Sequence, residues 1–242
     1  MEIYKDLGNS ASKEFEKMLN SQLSKIKIEE GKIIEGKINK ITEKFVFIYV
    51  EGLKSEPVLD VNELNSLGLK DKVKIQLGGG IRNLNDIDFW IENSVNRIIL
   101  GTMALENPNF INQLDKKYFK KIVIGADVRN GNIASHGWKK QSNVIAVDLI
   151  KALNPLVLNS VIYTDITKDG SLQGVNLDQT VNFAKSIPHP VIASGGVSSL
   201  GDVSRLAKEF VNGVQGVIIG RALYDKRFTF SDALQKCKEA IL

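Results

Sequence analysis

Two textures of apolar spacing divide the chain. From residue 73 onward, short apolar runs recur at Val73–Leu77, Arg97–Leu100, Lys121–Ala126, Ser160–Asp165, Pro190–Ser194 and Gly216–Ile219. Each is predicted as a buried strand. Between them the apolar positions fall at helical spacing, which predicts helices over Leu84–Glu92, Asn107–Tyr118, Leu177–Ile187, Leu200–Phe210 and Ser231–Ala240. Asp86, Asp178 and Asp232 stand near three of the helix starts, where a carboxylate is favourable against the helix dipole. Strands alternating with helices mean parallel βα units. Six such units are fewer than a closed eight-unit barrel needs.

The first 72 residues read differently. Phe15, Met18, Leu19 and Leu23 are helically spaced within Ser12–Ser24. Strand-like runs follow, KIIEGKINKI and KFVFIYVEGL, punctuated by Gly31, Gly36 and Gly52. Short strands with turn residues between them suggest a small antiparallel barrel. The expected architecture is therefore α/β. It is an incomplete TIM-type (βα) barrel of about six βα units over 73–242, preceded over 1–72 by a helix and a truncated OB-like β unit.

Composition sharpens that division. One alanine, Ala11, lies in the first 72 residues and eleven lie in the remaining 170, and small residues suit helices packed closely on a sheet. All six arginines lie at or beyond Arg82. The net charge of +4 splits into −1 over residues 1–72 and +5 over 73–242, so the second segment is the better host for an anionic ligand. No apolar run is long enough to cross a membrane as a helix. The start, MEIYKDLGNS, lacks the pattern of a signal peptide. One cysteine, Cys237, and two histidines, His136 and His189, argue against disulfides and a metal cluster. A cytoplasmic protein without metal is expected.

An internal repeat points to the chemistry. Gly79-Gly80-Ile81, Leu84 and Asp86 recur 116 residues later as Gly195-Gly196-Val197, Leu200 and Asp202. Gly101 recurs 119 residues later as Gly220. Each copy reads strand, glycine turn, helix, strand, glycine. In a fully duplicated barrel the offset would place a partner for Ile122–Asp127 over residues 6–11, which are not strand-like. It would place one for Ser160–Asp165 over residues 44–49, on the strand-like Phe45–Tyr49 run, whose spacing and glycine content fit the antiparallel reading better. Glycine lets backbone N–H groups approach a phosphate, and a following helix start favours negative charge. Gly79, Gly80, Arg82, Gly101 and Thr102 would form one phosphate site, and Ser194, Gly195, Gly196, Gly220 and Arg221 the other. Loops after parallel barrel strands share one face, so a substrate with a phosphate at each end is expected.

Between the glycine sites, Asp127 closes a strand and Asp169 follows one. Carboxyls so placed are candidates for proton transfer, with Asp165 as support for the loop. Asn130-Gly131 signals a hairpin, which predicts a small ribbon over Val128–Trp138. Trp138 could stack on a planar ring or simply pack. His136 is a weaker candidate, and His189 reads as structural. No Walker loop, Rossmann fingerprint, nucleophile elbow or metal-ligand set is present, so no cofactor is expected.

From about Val73 the chain resembles the phosphoribosylformimino aminoimidazole carboxamide ribotide isomerases of histidine biosynthesis. QLGGGIRNLNDI, RIILGTMALENP, IGADVRNGNIASHGW, IYTDITKDGSLQGVN, VIASGGVSSLGDV and GVIIGRALYD carry the likeness. The resemblance implies a (βα)8 barrel, a bisphosphorylated ribotide substrate and an aminoaldose-to-aminoketose rearrangement without metal or redox cofactor. Asp127 matches the family's general acid, Thr164 and Asp169 match residues at the substrate, and Trp138 matches the ring-stacking position. The likeness departs at the start. The family's first strand, with its aspartate base, and its second, with another acidic motif, have no recognisable counterparts, and Asp6 is the only aspartate near the beginning. The resemblance thus implies the fold and the ligand site more strongly than turnover.

Residues 10–75 resemble the first OB-type repeat of bacterial ribosomal protein S-one, through EGKIIEGKINKITEKFVFIYVEGLKSEPVLDVNEL and GLKDKVKI. That likeness implies an RNA or ribosome partner, with Phe45, Phe47 and Tyr49 as stacking candidates. A net charge of −1 in this segment opposes strong electrostatic binding to RNA. An incomplete barrel also leaves sheet edges through which copies could self-associate.

Overall fold

The computed structural model describes residues 38–41, 45–49 and 74–241, with side chains from Ile75 onward. The helix expected over Ser12–Ser24 and most of the OB-like unit lie outside the described residues. Ten strands are described: β1 (Ile38–Ile41), β2 (Phe45–Tyr49), β3 (Lys74–Gly78), β4 (Arg97–Leu100), β5 (Ile122–Arg129), β6 (Asn132–Ser135), β7 (Lys140–Ile145), β8 (Leu158–Asp165), β9 (Val191–Ser194) and β10 (Val214–Val217). They form one sheet in the order β1-β2-β3-β4-β5-β8-β9-β10, with β6 and β7 as a side ribbon on β5.

Every neighbouring pair from β2 to β10 along that path is parallel. With helices between most of these strands, this is the architecture of an incomplete TIM-type α/β barrel. The Phe45–Tyr49 run has two partners. It pairs antiparallel with β1, as in a hairpin, and parallel with β3, with Phe47 opposite Gln76. The first pairing is the antiparallel one expected. The second corrects that expectation, because it makes the run a further parallel strand beside the six predicted, next to β3, where no strand of the family was recognised.

Both faces of the parallel strands are buried, and alternation sorts them. Ile98, Leu100, Ile122, Ile124, Ala126, Val161, Tyr163, Val191 and Ala193 join the large core under the helices. Their neighbours Val123, Ile162 and Ile192 form a separate cluster with Ile99 and Ile218. That second cluster is the barrel interior.

The helix over Leu84–Glu92 has the predicted limits. The single helix predicted over Asn107–Tyr118 is instead broken. Thr102–Glu106 and Pro108–Asn112 are separate helices, and Lys116–Tyr118 is one turn of 3-10 helix. Pro108 cannot continue a helix entering from Met103–Glu106, because it has no N–H to donate and its ring crowds the preceding turn. Asn107 sits at φ −138 and caps the next helix through the Phe110 N–H at 3.1 Å. The strand predicted over Gly216–Ile219 lies earlier, over Val214–Val217. The helix Ala146–Ala152 was not anticipated.

The repeated aspartates are helix caps. Asn83 and Ser199 are N-caps, and Asp86 and Asp202 stand three residues on, completing a capping box in each copy. Asp202 is the more buried, at 1% exposure. Its Oδ2 accepts from Ser198 N at 2.9 Å, Ser198 Oγ at 2.8 Å and Ser199 N at 3.0 Å, and its Oδ1 from Arg205. Burial alone would raise its pKa; the hydrogen bonds from Ser198, Ser199 and Arg205 outweigh burial and hold the carboxyl below its ordinary value. His189, 6% exposed, is held below the ordinary histidine value by burial and by Lys120, in keeping with its structural reading.

Asp202→Ala is therefore expected to destabilise the fold by about 1–3 kcal/mol in urea titrations, more than Asp86→Ala on the exposed copy. Because the folded pKa is depressed, the stabilisation is present above the ordinary value of 3.8 and is lost as pH falls through the folded one. The gap between the parent and the alanine variant should narrow on acidification below about pH 4. A gap of constant size would contradict the hydrogen-bonded carboxylate.

Candidate functional site at the C-terminal face

Parallel strands end on one face, and the residues that end them are the candidates. Asp127 of β5 is in register with Thr164 of β8, and Thr164 with Ser194 of β9. Counting two residues on from the interior cluster reaches the next inward positions. Ile99 leads to Gly101, Val123 to Gly125, Ile162 to Thr164, Ile192 to Ser194 and Ile218 to Gly220. An apolar floor thus lies under a layer with almost no side chain, which leaves room for a ligand. Asp127, two residues beyond Gly125 and in register with Thr164, is half-buried. Thr164 is 7% exposed.

The two glycine arms match in conformation as well as in sequence. Gly79 and Gly80 have φ of 98 and 70, and Gly195 and Gly196 have 95 and 82. Gly101 sits at φ −107, ψ −92, and Gly220 at φ −98, ψ −98. Two loops of the same shape, each ahead of a helix, suit two ligand groups of the same chemistry.

Asp169 is exposed on a fastened loop. Its N–H donates to Asp165 O at 3.0 Å. The buried Asp165 carboxylate accepts from Thr167 N and Oγ1 at 2.9 and 2.6 Å and from Asn176 Nδ2 at 2.9 Å, so it supports the loop as expected. Arg221 secures the same loop, its Nη1 donating to Gly170 O at 2.7 Å and its Nε to Asp225 Oδ2 at 3.2 Å. That side chain thus serves the Asp169 loop. Arg82 contributes its backbone N–H to the Asp86 cap at 2.7 Å and its side chain stays exposed.

The ribbon is longer than predicted. Asn130 and Gly131, at φ 52 and 84, make the expected turn. Beyond it β6 pairs with both β5 and β7, so the ribbon extends to Ile145. Trp138 lies in the β6–β7 connection, half-buried, with a buried Nε1 that has no hydrogen-bond partner. Beneath the floor, Gln76 is 1% exposed with both amide atoms unpartnered. Arg97, in register with it, is half-buried, which lowers its pKa to about 10.

Comparison with known proteins settles the ancestry. The model for "Histidine biosynthesis protein" matches residues 38–229. The chain belongs to this family. The match begins upstream of residue 73, taking in β1 and β2. Curated relatives are named as phosphoribosyl-substituted imidazole-4-carboxamide isomerases. That of Bacillus subtilis is 41% identical over 189 residues, 78% of this chain and 77% of the relative. That of Vesicomyosocius okutanii is 43% identical over 165 residues, 68% of each. That of Xanthobacter autotrophicus is 44% identical over 162 residues, 67% of this chain and 66% of the relative. None of these comparisons matches an OB-type ribosomal repeat.

In this member of the histidine biosynthesis family, the barrel gathers Asp127, Thr164, Ser194, Gly101 and Gly220 on its inner face. Gly79, Gly80, Gly195, Gly196 and Asp169 stand on loops at the same end, and Trp138 on the ribbon. Sequence reasoning gave little weight to His136, whose N–H donates to Thr102 Oγ1 at 3.1 Å. It passed over Gln76, although a glutamine between the buried Ile75 and Leu77 is a visible signal.

The glycines separate structural need from ligand need. A Cβ at Gly195 would come within 2.6 Å of Asp165 O, at φ +95, whereas one at Gly220 meets nothing within 4 Å. Gly195→Ala should cost about 1–3 kcal/mol of stability in chemical denaturation. Gly220→Ala should leave stability within about 0.5 kcal/mol and weaken binding of inorganic phosphate in calorimetry. Equal stability losses at both positions would overturn this distinction.

Proposed function

We propose that the chain is an isomerase of histidine biosynthesis, catalysing the Amadori rearrangement of a bisphosphorylated imidazole carboxamide ribotide. The observation that carries this reading is the pair of conformationally matched glycine arms on either side of Asp127 and Thr164. Each arm would take one phosphate of the substrate, through backbone N–H groups and the Thr102 and Ser194 hydroxyls. Trp138 would lie against the imidazole ring. The site is assigned to residues 73–242.

The reaction moves protons and one ring bond. Asp127 donates a proton to the furanose ring oxygen as the bond from that oxygen to C1′ breaks. The nitrogen lone pair forms the C1′ iminium. A base then removes the C2′ proton, giving an enolamine, and Asp169 is the carboxylate among the described residues assigned to that step. Reprotonation at C1′ and loss of the C2′ hydroxyl proton give the aminoketose. Nothing is oxidised or reduced overall. The Thr164 hydroxyl, in register with Asp127, orients the opening ribose. The large anionic ends stay fixed while the sugar between them opens, which concentrates binding energy on the reacting centre.

Purified chain is expected to turn over the aminoaldose substrate. Asp127→Asn should lower kcat by about 100- to 10,000-fold while the thermal unfolding transition stays in place, and Asp169→Asn should lower it comparably. Full turnover by Asp127→Asn would remove it as the acid. Absence of turnover in the folded parent would mean that the site binds without catalysing.

A further inference from the structure

The turn at the tip of the ribbon is held by three contacts from one residue. The His136 N–H donates to Thr102 Oγ1 at 3.1 Å. Its Nδ1 lies 3.0 Å from Ser135 Oγ, and its Nε2 lies 3.4 Å from Glu106 Oε1. One tautomer satisfies the side chain throughout: the Ser135 hydroxyl donates to Nδ1, and the Nε2 proton faces the Glu106 carboxylate. Ser135 is buried, at 8% exposure, which anchors the near end of this chain of contacts. Thr102 and Glu106 begin and end one short helix, so His136 spans that helix from end to end.

The turn needs holding. His136, Gly137 and Trp138 have φ of 54, 61 and 65. Two of these three successive left-handed residues carry side chains, and that conformation is disfavoured for them. Strain of this kind persists where surrounding contacts fix it. Here the Ser135–Lys140 pairing closes the turn, His136 ties it to the neighbouring helix, and the residue displayed two positions later is Trp138.

We propose that His136 is a positioning residue that straps the 135–138 turn to the Thr102–Glu106 helix, thereby setting Trp138 and the Thr102 hydroxyl together. The proposal rests on the functional reading above. Because Thr102 Oγ1 accepts from the His136 N–H, its own proton is left to donate to a phosphate on the Gly101 arm. The strap therefore couples the ring-stacking ribbon to one phosphate loop. An exposed histidine–glutamate pair is weak by itself, so the expected effect is a shift of population between held and released turns.

Tryptophan emission reads this directly, since the chain has two tryptophans and Trp90 is buried at 4% exposure. Emission and acrylamide quenching would be measured on the parent, His136→Ala, Glu106→Gln and His136→Gln, with Trp138→Phe supplying the Trp90 baseline. His136→Ala and Glu106→Gln should both red-shift the Trp138 emission and raise its quenching. His136→Gln, which keeps a side-chain N–H toward Glu106, should restore part of the parent signal. In turnover assays His136→Ala should raise KM about three- to tenfold with kcat within about twofold. Unchanged emission and quenching in both His136→Ala and Glu106→Gln would overturn the strap, and so would a fall in kcat at constant KM. Should His136→Ala fail to fold, Glu106→Gln carries the same test from the exposed side of the pair. Absence of turnover in the parent would count against the isomerase reading alone, because the emission arm needs no catalysis.

Discussion

The two-residue alternation of a parallel strand is the constraint from which the site follows. Each strand must bury both faces, one under helices and one toward the barrel axis. Ile99, Val123, Ile162, Ile192 and Ile218 close the axis with branched side chains. Two residues further on, the same faces carry Gly101, Gly125, Thr164, Ser194 and Gly220. The change from large to small within two residues ends the packed interior and leaves the strand ends with little side chain. A continued apolar layer would have added burial and stability. Giving that up is intelligible only if something else occupies the space, which is the usual bargain between a stable core and a functional mouth.

The duplicated arms show how one local solution is used twice. Asn83 with Asp86 and Ser199 with Asp202 cap their helices in the same way. The caps fix where each helix begins, and so fix the glycine turn before it. The second arm carries more load. Gly195 lies against the Asp165 backbone, and the Gly174 N–H donates to Gly196 O at 3.0 Å. The Asp169 loop and this arm are consequently one packed unit, which places a candidate catalytic carboxylate and a candidate phosphate loop under common control.

Much of this was legible from short-range pattern. Strand and helix alternation, the capping aspartates and the Asn130-Gly131 turn are set by residues close in sequence. The misreadings have local physical causes too. The apolar spacing of Asn107–Tyr118 is helical, yet Pro108 lacks a donor and Asn107 caps rather than continues. The parallel pairing of Phe45–Tyr49 with Lys74–Gly78 was passed over for an antiparallel unit although the repeat offset touched it, because alternation within a strand does not reveal the direction of its neighbour. Glycine 79 and glycine 195 look alike in sequence, whereas only the folded chain shows the Asp165 backbone pressed against the second.

What sequence could least disclose is contact between residues far apart along the chain. His136 and Thr102 are separated by 34 positions, and neither belongs to a motif that names the other. Their meeting depends on the length of the β5–β6 hairpin and on the break at Asn107, which shortens the Thr102–Glu106 helix and leaves Glu106 at its exposed end. Were the helix continuous through Pro108, Glu106 would sit in mid-helix, with its carboxylate directed by the turns on both sides. The same proline that defeats the helical pattern therefore creates the fixed point to which the ribbon is tied. A departure from regular structure at the mouth is thus part of how the ribbon that carries Trp138 and the Gly101 loop come to be set against each other.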